Sequence, residues 1–116
     1  MRFKFTLLPI VLVYSSVVYA HTPVCQCQLQ ENQVICEGGY HDGSEAVGVT
    51  MTVLTYHGVT LANGKLDKAS RFHFELPASP FYVLMDAGPG EMFEVDWSDI
   101  PGIDKHRFHA ELSTSN

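Results

Sequence analysis

Apolar and polar residues alternate with a two-residue period along most of the chain after Val24, and helical periodicity is scarce. Val24 to Gln30 and Gln33 to Glu37 predict a hairpin around Glu31-Asn32. Val47, Val49, Met51 and Val53 alternate with small or polar residues, the mark of a strand with one buried face. Thr50, Thr52 and Thr55 add β-branched side chains that suit it. Val59 to Ala62 predicts a short strand entering a turn at Asn63-Gly64. Phe72, Phe74 and Leu76 share one face, with Arg71, His73 and Glu75 on the other. Phe81 to Met85 is apolar without interruption, which predicts a central strand covered on both sides. Met92 to Trp97 supplies the last strand.

Turn formers separate these runs: Gly38-Gly39, Asp42-Gly43-Ser44, Gly64, Pro77, Pro80 and Gly88-Pro89-Gly90. Short strands at this density predict an all-β fold, a single sandwich of about seven strands ending near residue 100. Past Pro101 the pattern fades. Lys105 to Leu112 has the makings of one or two helical turns, but a helix that short is marginal in water. Residues 101–116 therefore read as a loosely ordered tail.

Before the first strand the pattern changes character. Arg2 and Lys4 precede an apolar stretch, Leu7 to Val13, and Val18-Tyr19-Ala20 has the form of a signal-peptidase site. The apolar stretch is too short to cross a bilayer core of about 30 Å as a helix. Residues 1–20 read as a signal peptide cut after Ala20, leaving a domain over 21–100 and the tail, in a periplasmic or secreted protein with no membrane span. Cleavage removes Arg2 and Lys4 but no acid, so the formal charge moves from −6 to −8. That acidity argues against nucleic acid and anionic membranes as partners. It suits cationic ligands, metal ions among them, and it also keeps a small protein soluble.

Three segments together resemble a known family. They are Cys25-Gln-Cys27 with Cys36-Glu-Gly-Gly-Tyr-His-Asp-Gly-Ser44, then Gly64-Lys-Leu-Asp-Lys-Ala-Ser-Arg-Phe-His-Phe74, then Phe81-Tyr-Val-Leu-Met-Asp-Ala-Gly-Pro-Gly90. The chain is similar to small bacterial periplasmic proteins with a transthyretin-like, or carboxypeptidase-regulatory-like, β-sandwich. Some of these are associated with nickel and cobalt uptake. The resemblance implies an immunoglobulin-like sandwich and a link to transition-metal transport. It also implies a His after Gly90, where this chain carries Glu91.

Cys25 and Cys27 stand two apart on a predicted strand, so both thiols face one side and are poorly placed to bond each other. A two-residue turn at Glu31-Asn32 sets Cys27 opposite Cys36, with Cβ atoms about 4.5–5.5 Å apart, close enough to bridge after small adjustment. Export makes that oxidation favourable. The residues leave three readings open. The first is a structural Cys27–Cys36 disulfide with Cys25 free. The second is a reduced cluster of Cys25, Cys27 and Cys36 holding Cu(I) or Zn(II) with a nearby His. The third is a redox-active or intermolecular thiol.

His41, five residues after Cys36, is the first candidate for that His if Gly38-Gly39 bends the chain back toward the thiols. The same Gly-Gly pair also serves a plain turn. Cleavage after Ala20 would leave His21 first, offering its α-amine and imidazole to one metal. Such a histidine brace needs a second His from His41, His57, His73, His106 or His109. His73 alternates with core positions and reads as a solvated residue. His106 and His109 lie three apart, close enough to share a helical face.

No acyl-transfer nucleophile stands out at Ser44 or Ser70, and no glycine-rich loop opens a helix. Asp86, Glu91, Glu94, Asp96 and Asp99 cluster in sequence and suit either Ca²⁺ or a solvated face. The sequence therefore predicts an exported, non-enzymatic accessory or binding protein. In that reading it binds a transition metal (Ni, Co, Cu or Zn) for a membrane transporter component. The alternative is a structural or protein-interaction module stapled by a disulfide, with no metal role. Third comes a copper redox enzyme built on His21.

Overall fold

A computed structural model describes residues 22–109, and His21 with the proposed signal segment lies outside them. The described residues form seven strands: β1 (Pro23–Gln30), β2 (Gln33–Tyr40), β3 (Thr50–Thr55), β4 (Thr60–Lys65), β5 (Arg71–Glu75), β6 (Phe81–Asp86) and β7 (Met92–Asp96). A 3-10 turn at Trp97–Asp99 follows. The strands form two sheets, ordered β1-β2-β5 and β4-β3-β6-β7, with every pairing antiparallel. The chain is thus an all-β, two-layer sandwich, as its period-two pattern predicts.

The core sits between central strands. Val34 and Cys36 of β2, Met51 and Val53 of β3, and Phe81, Val83 and Met85 of β6 are all fully buried. Their two-residue spacing puts each set on one strand face, and the two faces close on each other. β6 is central in its sheet, yet Tyr82 and Leu84 are only half-buried. The described residues form two layers, so the outer face of β6 lacks the full cover expected, and there the Tyr56 ring stacks on Tyr82 at 6.4 Å.

Two glycine-containing motifs differ from expectation for a shared reason. Asn63-Gly64 is not a turn: Gly64 lies inside β4 opposite Met51, and a Cβ there would stand 2.7 Å from Cε1 of Phe72. The β3–β4 reversal falls instead at Tyr56–Val59, where Gly58 takes φ +85°. Gly38 likewise faces inward, and a Cβ on it would stand 2.6 Å from Cδ1 of Leu66. Gly38-Gly39 therefore continues β2 straight to Tyr40 and does not bend it. In both places the glycine yields space to an aromatic or aliphatic neighbour.

Val47 was expected in β3 but is half exposed, in a loop where Gly48 donates to the Leu66 carbonyl at 2.8 Å. The expected loose tail is also overturned over its first nine residues. Ile103 and Phe108 are buried, and the Phe108 ring meets Trp97 edge-on with centroids 4.8 Å apart. Arg107 lies over the Phe108 ring at 5.4 Å and donates to the Pro77 carbonyl at 3.3 Å. Apolar side chains three to five residues apart were enough to fold this segment onto the sandwich once a partner face existed. Residues 110–116 lie outside the described part.

Candidate functional site

The β1–β2 ladder decides what this face of the molecule offers. Register pairs Cys27 with Cys36 and Cys25 with Gly38 around the Glu31-Asn32 turn, where Glu31 takes φ +59°. His41 N–H donates to the Thr22 carbonyl at 2.8 Å, extending the ladder on even-numbered β1 positions. Leu29 N–H instead donates away from β2, to the Pro101 carbonyl at 3.0 Å. Hydrogen-bonded and non-hydrogen-bonded positions alternate in antiparallel pairs. The peptide groups of Cys25 and Cys27 therefore point outward from the sheet edge, the same way as that of Leu29.

The side chains of the same two residues point into the core. Cys27 and Cys36 form a disulfide, their Cα atoms 4.0 Å apart, the close approach of a non-hydrogen-bonded pair. Cys25 is a free thiol, 5% exposed, with its Sγ 3.9 Å from that of Cys27. All three sulfurs lie within 4.8 Å of one another. Burial pushes the Cys25 thiol up to about 11, so at neutral pH it is a protonated, weakly nucleophilic group. Alkylation of the native protein is thus expected to be slow at pH 8 and to accelerate in denaturant, where mass spectrometry should count one adduct per chain. Fast native labelling would show that Cys25 is not enclosed.

The expected histidine does not join the sulfurs. His41 is exposed beyond the end of β2. Five extended residues separate it from Cys36, roughly 16 Å of strand. His57, His73, His106 and His109 are exposed too, and the rings of His106 and His109 lie side by side at 6.3 Å, as their spacing predicts. The acidic run is partly committed to local structure. Asp96 accepts from the Tyr56 hydroxyl at 2.6 Å and from Ser98 N–H at 3.1 Å, and Asp86 accepts from Gly88 N–H at 3.0 Å. Partial burial and the Asp96 bond raise the Tyr56 phenol to about 12.

Along β1 runs an open groove of about 590 Å³, bounded on its far side by β7, the edge strand of the opposite sheet. Cys25, Cys27, Glu37, Phe93, Glu94 and Asp99 help line it. Arg71, also on its wall, is paired with Glu37 at 3.1 Å. The sequence pattern marked β1 as a strand but carried no sign that it would be an edge, which depends on sheet order. Among the described residues no helix is long and apolar enough to cross a membrane.

No family model matches the chain. No curated protein matches it either. Among solved structures it is similar to native alpha-2-macroglobulin from Escherichia coli, in a crystal structure spanning domains NIE-MG1. The TM-score is 0.61 at 15% identity, over 67% of this chain and 38% of that one. The chain thus spans well under half the length of that structure, and at this identity the likeness concerns fold alone. These comparisons carry neither the transthyretin-like family nor its nickel and cobalt association. What they support is a small immunoglobulin-like β-sandwich.

Proposed function

We propose that this is an exported, non-enzymatic interaction module that docks an extended, basic segment of a partner protein along the open edge of β1. The observation that carries the reading is the outward-facing pair of peptide groups at Cys25 and Cys27 beside an acidic groove. Strand addition uses such main-chain groups for affinity and the groove wall for selection. Glu94 and Asp99 lie on that wall, and Arg71 is already taken by Glu37, so the groove favours Lys and Arg on the incoming strand. Pro101 already occupies the rung at Leu29, which leaves the stretch from Pro23 to Gln28 for a partner.

A second reading makes the partner part of a membrane transport system for a transition metal. Its one supporting observation is the meeting of three cysteine sulfurs.

The docking reading is tested by titrating isotopically labelled protein with an eight-residue peptide alternating Lys and Val, and with its Glu-Val counterpart. The Lys peptide should slow hydrogen exchange at the Cys25 and Cys27 amides, and Glu94→Lys should weaken it about threefold to tenfold. Unchanged exchange at those two amides, or equal binding of the acidic peptide, would reject the reading.

A further inference from the structure

We propose that reduction of the Cys27–Cys36 bond converts the sulfur cluster beneath β1 into a three-sulfur binding site for Cu(I). The inference deepens the metal component of the second reading and does not depend on a partner docking at the edge.

Three thiolates sharing one ion at metal–sulfur distances near 2.3 Å stand about 4 Å apart. Cys25 and Cys27 already meet that condition at 3.9 Å, because residues two apart on a strand present their side chains in parallel. Cys36 faces Cys27 across the ladder, so parting the two sulfurs to a similar separation asks for rotation about two side chains and no new strand register. In the oxidised protein the strand register thus already gathers all three donors in one place.

The donor set selects the ion. Thiolates suit soft cations, Cu(I) and Zn(II) foremost. Zinc in protein sites takes four ligands. Among the described residues the cluster contains three sulfurs and no histidine or carboxylate. Cys25, Cys27 and Cys36 are 5%, 6% and 0% exposed and belong to the apolar core cluster with Val34, Phe74 and Trp97, so water is a poor source of the fourth ligand. Cu(I) is satisfied by three sulfurs, and that is the number present. Cys25 and Cys27 lie next to the groove, so a local opening of the β1 edge would admit the ion.

In the oxidised protein two donors are spent on each other. A dithiol reductant supplies two electrons and two protons to the Cys27–Cys36 bond, yielding two thiols while the reductant becomes a disulfide. Cu(I) then binds the sulfurs, releasing one proton for each thiol that ligates as thiolate, so uptake strengthens with rising pH. The cluster is in this way a site whose affinity is set by the redox poise around the protein.

The test is an anaerobic Cu(I) titration of the purified protein against a chromophoric Cu(I) chelator, oxidised and after reduction by a phosphine. The reduced protein should take one equivalent and hold it about 100-fold or more tighter than the oxidised protein. X-ray absorption should give three sulfur neighbours, and Cys25→Ser, reduced alike, should lose the tight site while keeping its fold when oxidised. Equal affinity in both redox states, full retention by Cys25→Ser, or a nitrogen-dominated shell would each overturn the proposal. Emission from Trp97, the chain's single tryptophan, reports whether reduction loosens the hairpin. If reduction shifts it, Cu(I) must restore the buried-indole signal, and binding without restoration also overturns the site. None of these outcomes bears on exchange at the edge amides, so the docking reading stands or falls separately.

Discussion

Replacing Phe81 with alanine is expected to lower the unfolding free energy by about 3–5 kcal/mol. Phe81 opens β6 and is fully buried. Its ring meets Phe74 of β5 edge-on, at 5.8 Å and 87°. Those two strands belong to different sheets, so the pair ties the layers together and does not merely fill one of them. Phe74 in turn rests against Phe72 at 5.9 Å. Truncation would remove the transfer energy of a buried ring, leave a cavity that rigid strands refill poorly, and cost the edge-on contact as well. In a domain of this size each kcal/mol shifts Tm by about 4–8 °C, so the melting midpoint should fall by well over 10 °C. Urea unfolding should show a lower midpoint at an unchanged slope. A loss below about 1 kcal/mol would mean the inter-sheet core is assembled differently.

The second large effect concerns the staple. Cys27→Ala together with Cys36→Ala is expected to cost about 2.5 kcal/mol, the value for closing a loop with this short separation of nine residues. β1 gains its other contacts from β2 and from the groove side facing β7, so losing the cross-link should free the edge before the rest of the sandwich. Hydrogen exchange would then rise first at β1, with β3 and β6 protected until global unfolding. Uniform loss of protection across both sheets would show that the bond supports the whole fold and not this edge.

Much of this architecture is legible in the sequence, for reasons that differ by element. The Cys27–Cys36 pairing is readable because a two-residue turn at Glu31-Asn32 leaves one register, and every later rung follows from it. The alternation in β5 gives away Phe74, since a half-buried strand leaves the signature of its own face. Other features depend on neighbours distant in sequence. Gly64 looks like a turn residue until Phe72 is placed against it. Gly38-Gly39 looks like a bend until Leu66 is seen to need the room, and that straightness is what carries His41 away from the thiols. Phe108 sits in a stretch without periodicity because it packs edge-on against Trp97 as one isolated anchor and not as part of a repeating face. The convergence of the cysteines could be foreseen; the groove beside them could not, because edges are a property of sheet order.

An unpaired strand edge is also an invitation to copies of the same protein. Peptide groups that have no partner among the described residues can template self-association as well as accept a partner's strand, and a chain that keeps such an edge must discourage its own kind. Here the ends of the vulnerable stretch are marked by Pro23, which has no amide to donate, and by the crossing of Pro101 over Leu29. Between them the main deterrent is electrostatic. With a formal charge of −6 and acids along the groove, two identical molecules repel as they approach edge to edge, whereas a basic segment is drawn in. The acidity that sets the choice of partner thus also protects against aggregation, and concentrated salt, by screening it, removes both safeguards together.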